Sequence, residues 1–381
     1  MTSPAARTGT DRSTGFYAPA LDGLRWFAVL AVMFAHFSPT LSSLFDWGSA
    51  GVRLFFVLSG YLITLLLLRA RETAPAGHPG SALGPFLVRR IFRLWPLYFA
   101  SLAVAYSARM SGTETHLAWH AFFATNHYVH LHQHWPTLLS HYWTLAVEQQ
   151  FYVVWPLVLL WVPLTRLRTI LIGLVIAGPV FRALPFLFGQ ARPELGSILL
   201  PSCVDFFALG AGIASLQRRH RLPQIGGRSL LRAAIGGLVG WMLFGALLKI
   251  TDRQPASWII FDATVQAAGF AALLAYLLLF PESRLARFLA WGPFAYLGRI
   301  SYGLYIWHNF AHRFGPSLLR RLTGSNYLAD ESAHVAYYVV LTIAAASLSY
   351  HLLENPARRL GHRLASRLFR DPRPGPVPSP S

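Results

Sequence analysis

Apolar residues occur in this chain as runs of about twenty, separated by short segments rich in Arg, Pro, Gly and Ser. A run of that length matches the helix needed to cross a hydrocarbon core. Ten spans are read on this basis, at 20–38, 50–68, 86–107, 142–162, 168–188, 197–216, 230–250, 257–280, 292–311 and 333–353. The expected fold class is therefore all-α, a polytopic membrane bundle of about ten transmembrane helices. The polar residues 1–15 and the Pro- and Ser-rich DPRPGPVPSPS at 371–381 have the composition of disordered segments. This predicts a membrane domain over 16–360, preceded by a disordered N-terminus (1–15) and followed by a basic, Pro-rich tail (361–381). The first apolar run carries Arg25 and follows a polar stretch, so it is expected to act as an uncleaved anchor and not as a signal peptide. No repeat of solenoid spacing and no second soluble domain is evident.

Composition agrees with the pattern: 54% of residues are hydrophobic and only 13% are charged, which excludes an ordinary soluble enzyme. The net charge of +18 raises nucleic-acid binding as a possibility, but its distribution argues against it. Threading the spans with the N-terminus inside puts 22 Lys and Arg on the cytoplasmic side and 8, Arg182 among them, on the other. That asymmetry is the positive-inside signature and predicts cytoplasmic termini. The basic charge is read as a topology signal and an attraction to anionic lipid, with the bilayer and not nucleic acid as partner. The single Cys203 excludes an intramolecular disulfide.

Candidate chemistry lies where ionisable residues interrupt the spans, because such residues are costly in a membrane and mark reaction sites or pathways. Arg25 and His36 are eleven residues apart, about three helical turns, so they share one face about 16 Å apart along the axis. His36 is suited to proton transfer near neutrality. Arg90 and Arg93, three apart in RRIFRLWPLYF, share a helical face, and a guanidinium binds phosphate through a bidentate fork. Glu148, in HYWTLAVEQQFY, is expected at a depth similar to that of His36. Arg25, Arg90 and Arg93 would then form a separate cationic set at the inner mouth. Each has a structural alternative: a snorkelling cation for Arg25, an interface residue for His36, topology anchors for Arg90 and Arg93, and a helix-fixing salt bridge for Glu148.

Ser301, Tyr302, Tyr305 and His308 form a polar–aromatic stripe that either lines an acceptor channel or serves helix packing, and His308 is a second candidate base. Ser59 and Gly60 in LSGY read as close helix packing and not as a nucleophile elbow. Seven of the fifteen histidines fall in 116–141, and His116 and His120 have i, i+4 spacing. No Cys lies nearby, and Glu114, just before this segment, is the one carboxylate ahead of Glu148, so no metal site is expected there.

The chain resembles the acyltransferase-3 family of integral membrane O-acyltransferases. The resemblance rests on LDGLR with the Arg25-x10-His36 spacing, GVRLFFVLSGYLI (51–63), RRIFRLWPLY (89–98), YWTLAVEQQFY (142–152), YLGRISYGLYIWH (296–308) and LLENP (352–356), in family order. It implies acyl transfer from acyl-CoA, usually acetyl-CoA, to a hydroxyl of an envelope glycan or related sugar. It also implies a multi-pass location in a bacterial inner membrane and His36 as catalytic base, with acyl-CoA a co-substrate and no tightly bound cofactor. Many members carry an acidic residue where Arg53 stands. Some carry an extracytoplasmic hydrolase-like domain after the last span; its absence here implies direct transfer. Under this reading Glu148 orients His36 or stabilises its imidazolium, and Arg25, Arg90 and Arg93 hold the donor's phosphates; a relay through an acyl-enzyme intermediate on His is the alternative to direct transfer. The alternative function is a secondary transporter or flippase, which a bundle with buried Arg, His and Glu also suits.

Overall fold

The structure, a computed structural model, describes residues 18–74, 78–108, 113–189, 193–219, 222, 227–251, 255–325, 328 and 330–369. The expected disordered N-terminus and residues 370–381 of the tail lie outside them. Among the described residues every regular element is helical. The first half holds α1 (Pro19–Phe37), α2 (Pro39–Leu44), α3 (Trp47–Thr73), α4 (Leu83–Ser107), α5 (Thr113–Ala121), α6 (Thr125–His132), α7 (Tyr142–Trp161) and α8 (Leu167–Leu187). Then follow α9 (Leu200–Arg218), α10 (Gly227–Ile250), α11 (Ala256–Leu279), α12 (Arg284–Leu289), α13 (Gly292–Arg299), α14 (Ser301–Thr323), α15 (Glu331–Ser349) and α16 (Asn355–Leu368). A π-helical turn at Tyr350–Glu354 joins the last two.

Seven helices among the described residues are long and apolar enough to cross a membrane: α1, α3, α8, α9, α10, α11 and the continuous α15–α16. The count of ten read from the sequence is thus not reached. The expected spans at 86–107 (α4), 142–162 (α7) and 292–311 fall short for a physical reason. They carry polar residues of the interior, including Arg89, Arg90 and Arg93 on α4 and Glu148, Gln149 and Gln150 on α7. The span at 292–311 is also not one helix, since α13 and α14 meet at Ile300. Residues 361–368 continue α16, whose Gly361 lies against Phe92 of α4.

Apolar side chains recur every fourth residue on outward faces, at Ile172, Ile176 and Val180 of α8 and at Ile235, Val239, Leu243 and Leu247 of α10. Such stripes on a helical chain are what a lipid-facing surface requires. The inward faces close by small-residue contacts. Gly60 of α3 meets the backbone of Phe207 on α9, and Gly210 of α9 meets the carbonyl of Val57 on α3, leaving no room for a Cβ at either position. The packing read from LSGY is present at Gly60, while Ser59 does something else, described below. Arg182, counted from sequence as a charge outside the spans, is buried in α8. It pairs with Asp205 of α9 at 2.8 Å and donates to Thr264 of α11 at 2.6 Å and to the carbonyl of Ile260 at 2.8 Å. A buried cation needs such complete pairing.

These contacts predict that Gly60→Val and Gly210→Val each destabilise the bundle by about 1–3 kcal/mol, the usual cost of overpacking. Gly173→Ala, at a position with open space around it, serves as the control and should leave stability unchanged or slightly raised. Thermal unfolding of the three variants in one detergent checks this. Equal midpoints would show that the α3–α9 contact is not tight.

Candidate functional site

The face of α3 that turns inward carries Val52, Phe55, Phe56 and Ser59, spaced at helical intervals. Against it stand Arg25 of α1, Arg90 and Arg93 of α4, Thr144, Glu148 and Tyr152 of α7, and Ser301, Tyr302 and Tyr305 of α14. All of these but Ser59 line a narrow cavity of about 50 Å³. Arg90 lies with its guanidinium carbon 5.6 Å from the ring centres of both Phe86 and Tyr152. Among the described residues the ion pairs are Arg53–Asp262, Arg182–Asp205 and Arg218–Glu72, and none involves Arg25, Arg90 or Arg93. The Nε of Arg25 is buried without a hydrogen-bond partner. Glu148 accepts hydrogen bonds from Ser59 Oγ and from Tyr152, the latter at 3.1 Å. Three guanidinium groups thus share a cavity with one carboxylate, an arrangement suited to an anion.

His36 ends α1 and lines a second cavity of about 510 Å³ with Asp46, His141 and Trp135. Its ring centre is 4.8 Å from that of His308, which in turn is 4.9 Å from His141. The hydrogen bonds fix the tautomers, because a backbone carbonyl can only accept. His36 Nδ1 donates to Val32 O at 2.9 Å and His308 Nδ1 donates to Tyr305 O at 2.6 Å, so in each neutral ring Nε2 carries the lone pair. His141 is the reverse: its Nδ1 accepts from Asn309 Nδ2 at 2.8 Å, leaving Nε2 protonated. His308 and His141 are buried with Nε2 unpartnered, while His36 is exposed. An exposed imidazole with a fixed tautomer and an available lone pair has the geometry of a general base.

Val52 and Tyr305 line both cavities, so the cationic end and the histidine end meet there. Tyr305 is held by its hydroxyl, 2.6 Å from Thr144 Oγ1 and 3.3 Å from the carbonyl of His141. Arg25 and His36 accordingly border the same interior from two levels of one helix. The expected companionship of His36 and Glu148 is not found: Glu148 lines the arginine cavity and bonds to Ser59 and Tyr152. The reason is its position six residues into α7, about 9 Å along the axis from the helix start that lies beside His141. The stripe on α14 divides as well. Ser301, Tyr302 and Tyr305 border the arginine cavity, Tyr302 also donating to Leu94 O at 2.7 Å, whereas His308 faces His36.

Three site residues were missed in the sequence: Ser59, Tyr152 and His141. Ser59 is seven residues from Val52 and His141 seven from Glu148, and two helical turns on one face was the signal available for both. In the histidine-rich segment, rings pack on one another, His116 and His132 on Tyr128 with centres 4.4 and 4.7 Å apart. Burial, and then His116, push His120 down to about 4, and its Nδ1 sits 2.9 Å from Thr125 Oγ1. No group of three metal-ligating side chains is present among the described residues.

Residues 19–353 match the family model described as "Acyltransferase domain". Among curated relatives, YrhL of Bacillus subtilis (strain 168) is 28% identical over 377 residues, covering 92% of this chain and 56% of that protein. The peptidoglycan O-acetyltransferase OatA of Listeria monocytogenes is 27% identical over 388 residues, 95% of this chain and 59% of OatA. The O-acetyltransferase OatA of Staphylococcus aureus (strain NCTC 8325 / PS 47) is 27% identical over 370 residues, 91% and 58% respectively. The chain therefore spans less than two thirds of the length of these relatives. No solved structure matches it.

The tautomer pattern is directly testable. In ¹⁵N-histidine-labelled protein at neutral pH, His36 and His308 should show a protonated Nδ1 and His141 a protonated Nε2, each resonance assigned by its loss in a His→Gln variant. A His36 ring protonated at Nε2 would remove the lone pair that the base geometry needs.

Proposed function

The chain belongs to this acyltransferase family, and from that premise we propose that it moves an acyl group, foremost an acetyl group, from acyl-CoA to a hydroxyl of an envelope glycan. The observation that carries the reading is the division of the polar interior. One end gathers three guanidinium groups with no ion-pair partner among the described residues, and the other presents the available lone pair of His36, with Tyr305 bordering both. A thioester donor with phosphates at its far end suits the first, and a neutral hydroxyl the second. The names of YrhL and of the Listeria OatA favour peptidoglycan as the glycan. The transporter alternative is not favoured by the family.

In the proposed reaction the donor's phosphates rest at Arg90 and Arg93, and the slender thioester arm enters the narrow cavity beside Arg25. His36 Nε2 takes the proton of the acceptor hydroxyl as its oxygen attacks the thioester carbonyl. Collapse of the tetrahedral adduct breaks the C–S bond, CoA leaves as thiolate, and the proton on His36 passes to it or to solvent. A positioned base contributes about 10²–10⁴-fold, and exclusion of water protects the thioester. Glu148 acts here by holding Ser59 and Tyr152 around the arginines and not as a partner of His36. The donor side is proposed to be cytoplasmic, with both termini there, in a multi-pass protein of a bacterial plasma membrane.

His36→Ala should lower acetyl transfer at least about 100-fold while leaving acetyl-CoA affinity intact. Arg90→Ala and Arg93→Ala should each weaken acetyl-CoA binding by about tenfold or more, and Lys should restore only part, since a point charge lacks the bidentate fork. Transfer of labelled acetyl and direct titration of purified protein measure both. Wild-type transfer by His36→Ala would displace it in favour of His308.

Topology gives a separate check. In a Cys203→Ser background, a cysteine in 72–84 should label only when the inner face is opened, and one in 111–135 in intact cells. The opposite pattern would invert the donor side.

A further inference from the structure

A third cavity, of about 490 Å³, adjoins the histidine cavity and shares Asp46, Ser49, Val52, Trp135 and Trp143 with it. Its volume falls in the range of small-molecule sites. Unlike the arginine cavity, it has no excess of positive charge. Arg53 pairs with Asp262 at 3.0 Å and also donates to Gln266 Oε1 at 2.9 Å, and Arg182 is fully committed to Asp205, Thr264 and backbone carbonyls. No cationic charge is left over for an anion. What the walls offer instead is aromatic surface, and two of the lining residues, Trp241 and Asp262, each bury one unmet polar atom. Trp135, Trp143, Trp241 and Trp258 line the cavity, and Trp241 stacks on Trp258 with centres 5.9 Å apart. Trp241 Nε1 is a buried donor with no acceptor, and Asp262 Oδ1 a buried acceptor with no donor. Arg53 ties the two residues together, its guanidinium carbon 5.7 Å from the Trp241 ring centre and its Nη1 on Asp262.

A donor and an acceptor left unpaired in the wall of an aromatic cavity call for a ligand that supplies both. A sugar hydroxyl does: it accepts from an N–H and donates to a carboxylate, while the C–H face of the pyranose covers indole rings. A lipid tail leaves both atoms unmet, and an anion meets Asp262 unfavourably.

We propose that this tryptophan-walled cavity is a binding subsite for a neutral pyranose of an oligosaccharide, with Trp241 and Asp262 recognising a hydroxyl. The subsite rests on the proposed function for its role, in which it seats the acceptor so that a neighbouring sugar hydroxyl reaches His36. It would decide which glycan, and which position on it, is modified.

Chitotetraose, four β-1,4-linked N-acetylglucosamine units, is the probe, titrated calorimetrically into the full chain in nanodiscs, with acetyl-CoA titrated in parallel. Wild type should bind the sugar. Trp241→Phe, which removes only the N–H and keeps an aromatic ring, and Asp262→Asn should each weaken it about three- to tenfold, as the loss of one hydrogen bond predicts. Trp241→Ala should weaken it further, and acetyl-CoA affinity should not change in any of them, which also reports that each variant is folded. Absence of chitotetraose binding to wild type, or equal binding by wild type and all three variants, would overturn the subsite. The two readings separate cleanly. Wild type that acetylates the sugar while the variants bind it unchanged rejects the subsite and keeps the acyltransferase reading. Binding that depends on Trp241 and Asp262 without any acetyl transfer keeps the subsite and rejects the reading.

Discussion

Three guanidinium groups facing one carboxylate inside a helical bundle is the constraint around which the rest of this molecule is arranged. A cation in an apolar interior is expensive unless paired, and Arg25, Arg90 and Arg93 have no ion-pair partner among the described residues. Arg182 shows the ordinary solution in the same chain, with its guanidinium satisfied by a carboxylate, a hydroxyl and carbonyls. The difference between the two cases is functional in kind: one is a structural cation, the other a set with capacity left to bind. Holding that set needs rigid surroundings. Gly23 of α1 lies against the backbone of Leu289, and Gly298 of α13 against the carbonyl of Asp22, so the start of α1 is pinned close to Arg25. Arg90 is flanked by two aromatic rings, and Glu148 is tied down by Ser59 and Tyr152.

The same constraint explains why the helices differ in apolarity. α4 and α7 turn polar residues into the interior and are less apolar than α8 and α10, whose outward faces carry apolar stripes. Both α4 and α7 were nevertheless legible, at 86–107 and 142–162, because enough apolar residues surround the polar ones. The all-α class and most element positions were legible because a run of about twenty apolar residues has few other uses. The break of 292–311 at Ile300 was not, because no proline or glycine marks it at that residue and the turn is set by tertiary packing.

For the site, legibility followed helical geometry. Arg25 and His36, eleven apart on one helix, do border one interior, and Arg90 and Arg93, three apart, do line one cavity, since a single helix fixes those relations. Relations between helices were not fixed. Equal depth for His36 and Glu148 was inferred from span ends, and a difference of six residues along α7 was enough to place Glu148 among the arginines. His308 reaches His36, and His141 reaches His308, only because α14 and the start of α7 converge there, a contact that no spacing encodes. Arg53 stood out as a departure from the family pattern, and its meaning is visible only with Asp262 opposite it.

Charge balance then differs between the two ends in a way that bears on the proposed reaction. The arginine cavity has more positive charge than negative, whereas the tryptophan-walled cavity contains Arg53 and Arg182 but has both neutralised by carboxylates. A membrane enzyme that joins an anionic donor to a neutral acceptor faces a sorting problem, because each substrate must be excluded from the other's place. An anion entering the tryptophan-walled cavity meets Asp262 and Asp46, while Arg53 and Arg182 are already committed to carboxylates. A neutral sugar entering the arginine cavity displaces water from three cations without neutralising them. Sorting by charge needs no moving gate, and in the proposed reaction the acyl group passes beside Tyr305 and Val52, which border both the arginine and histidine cavities.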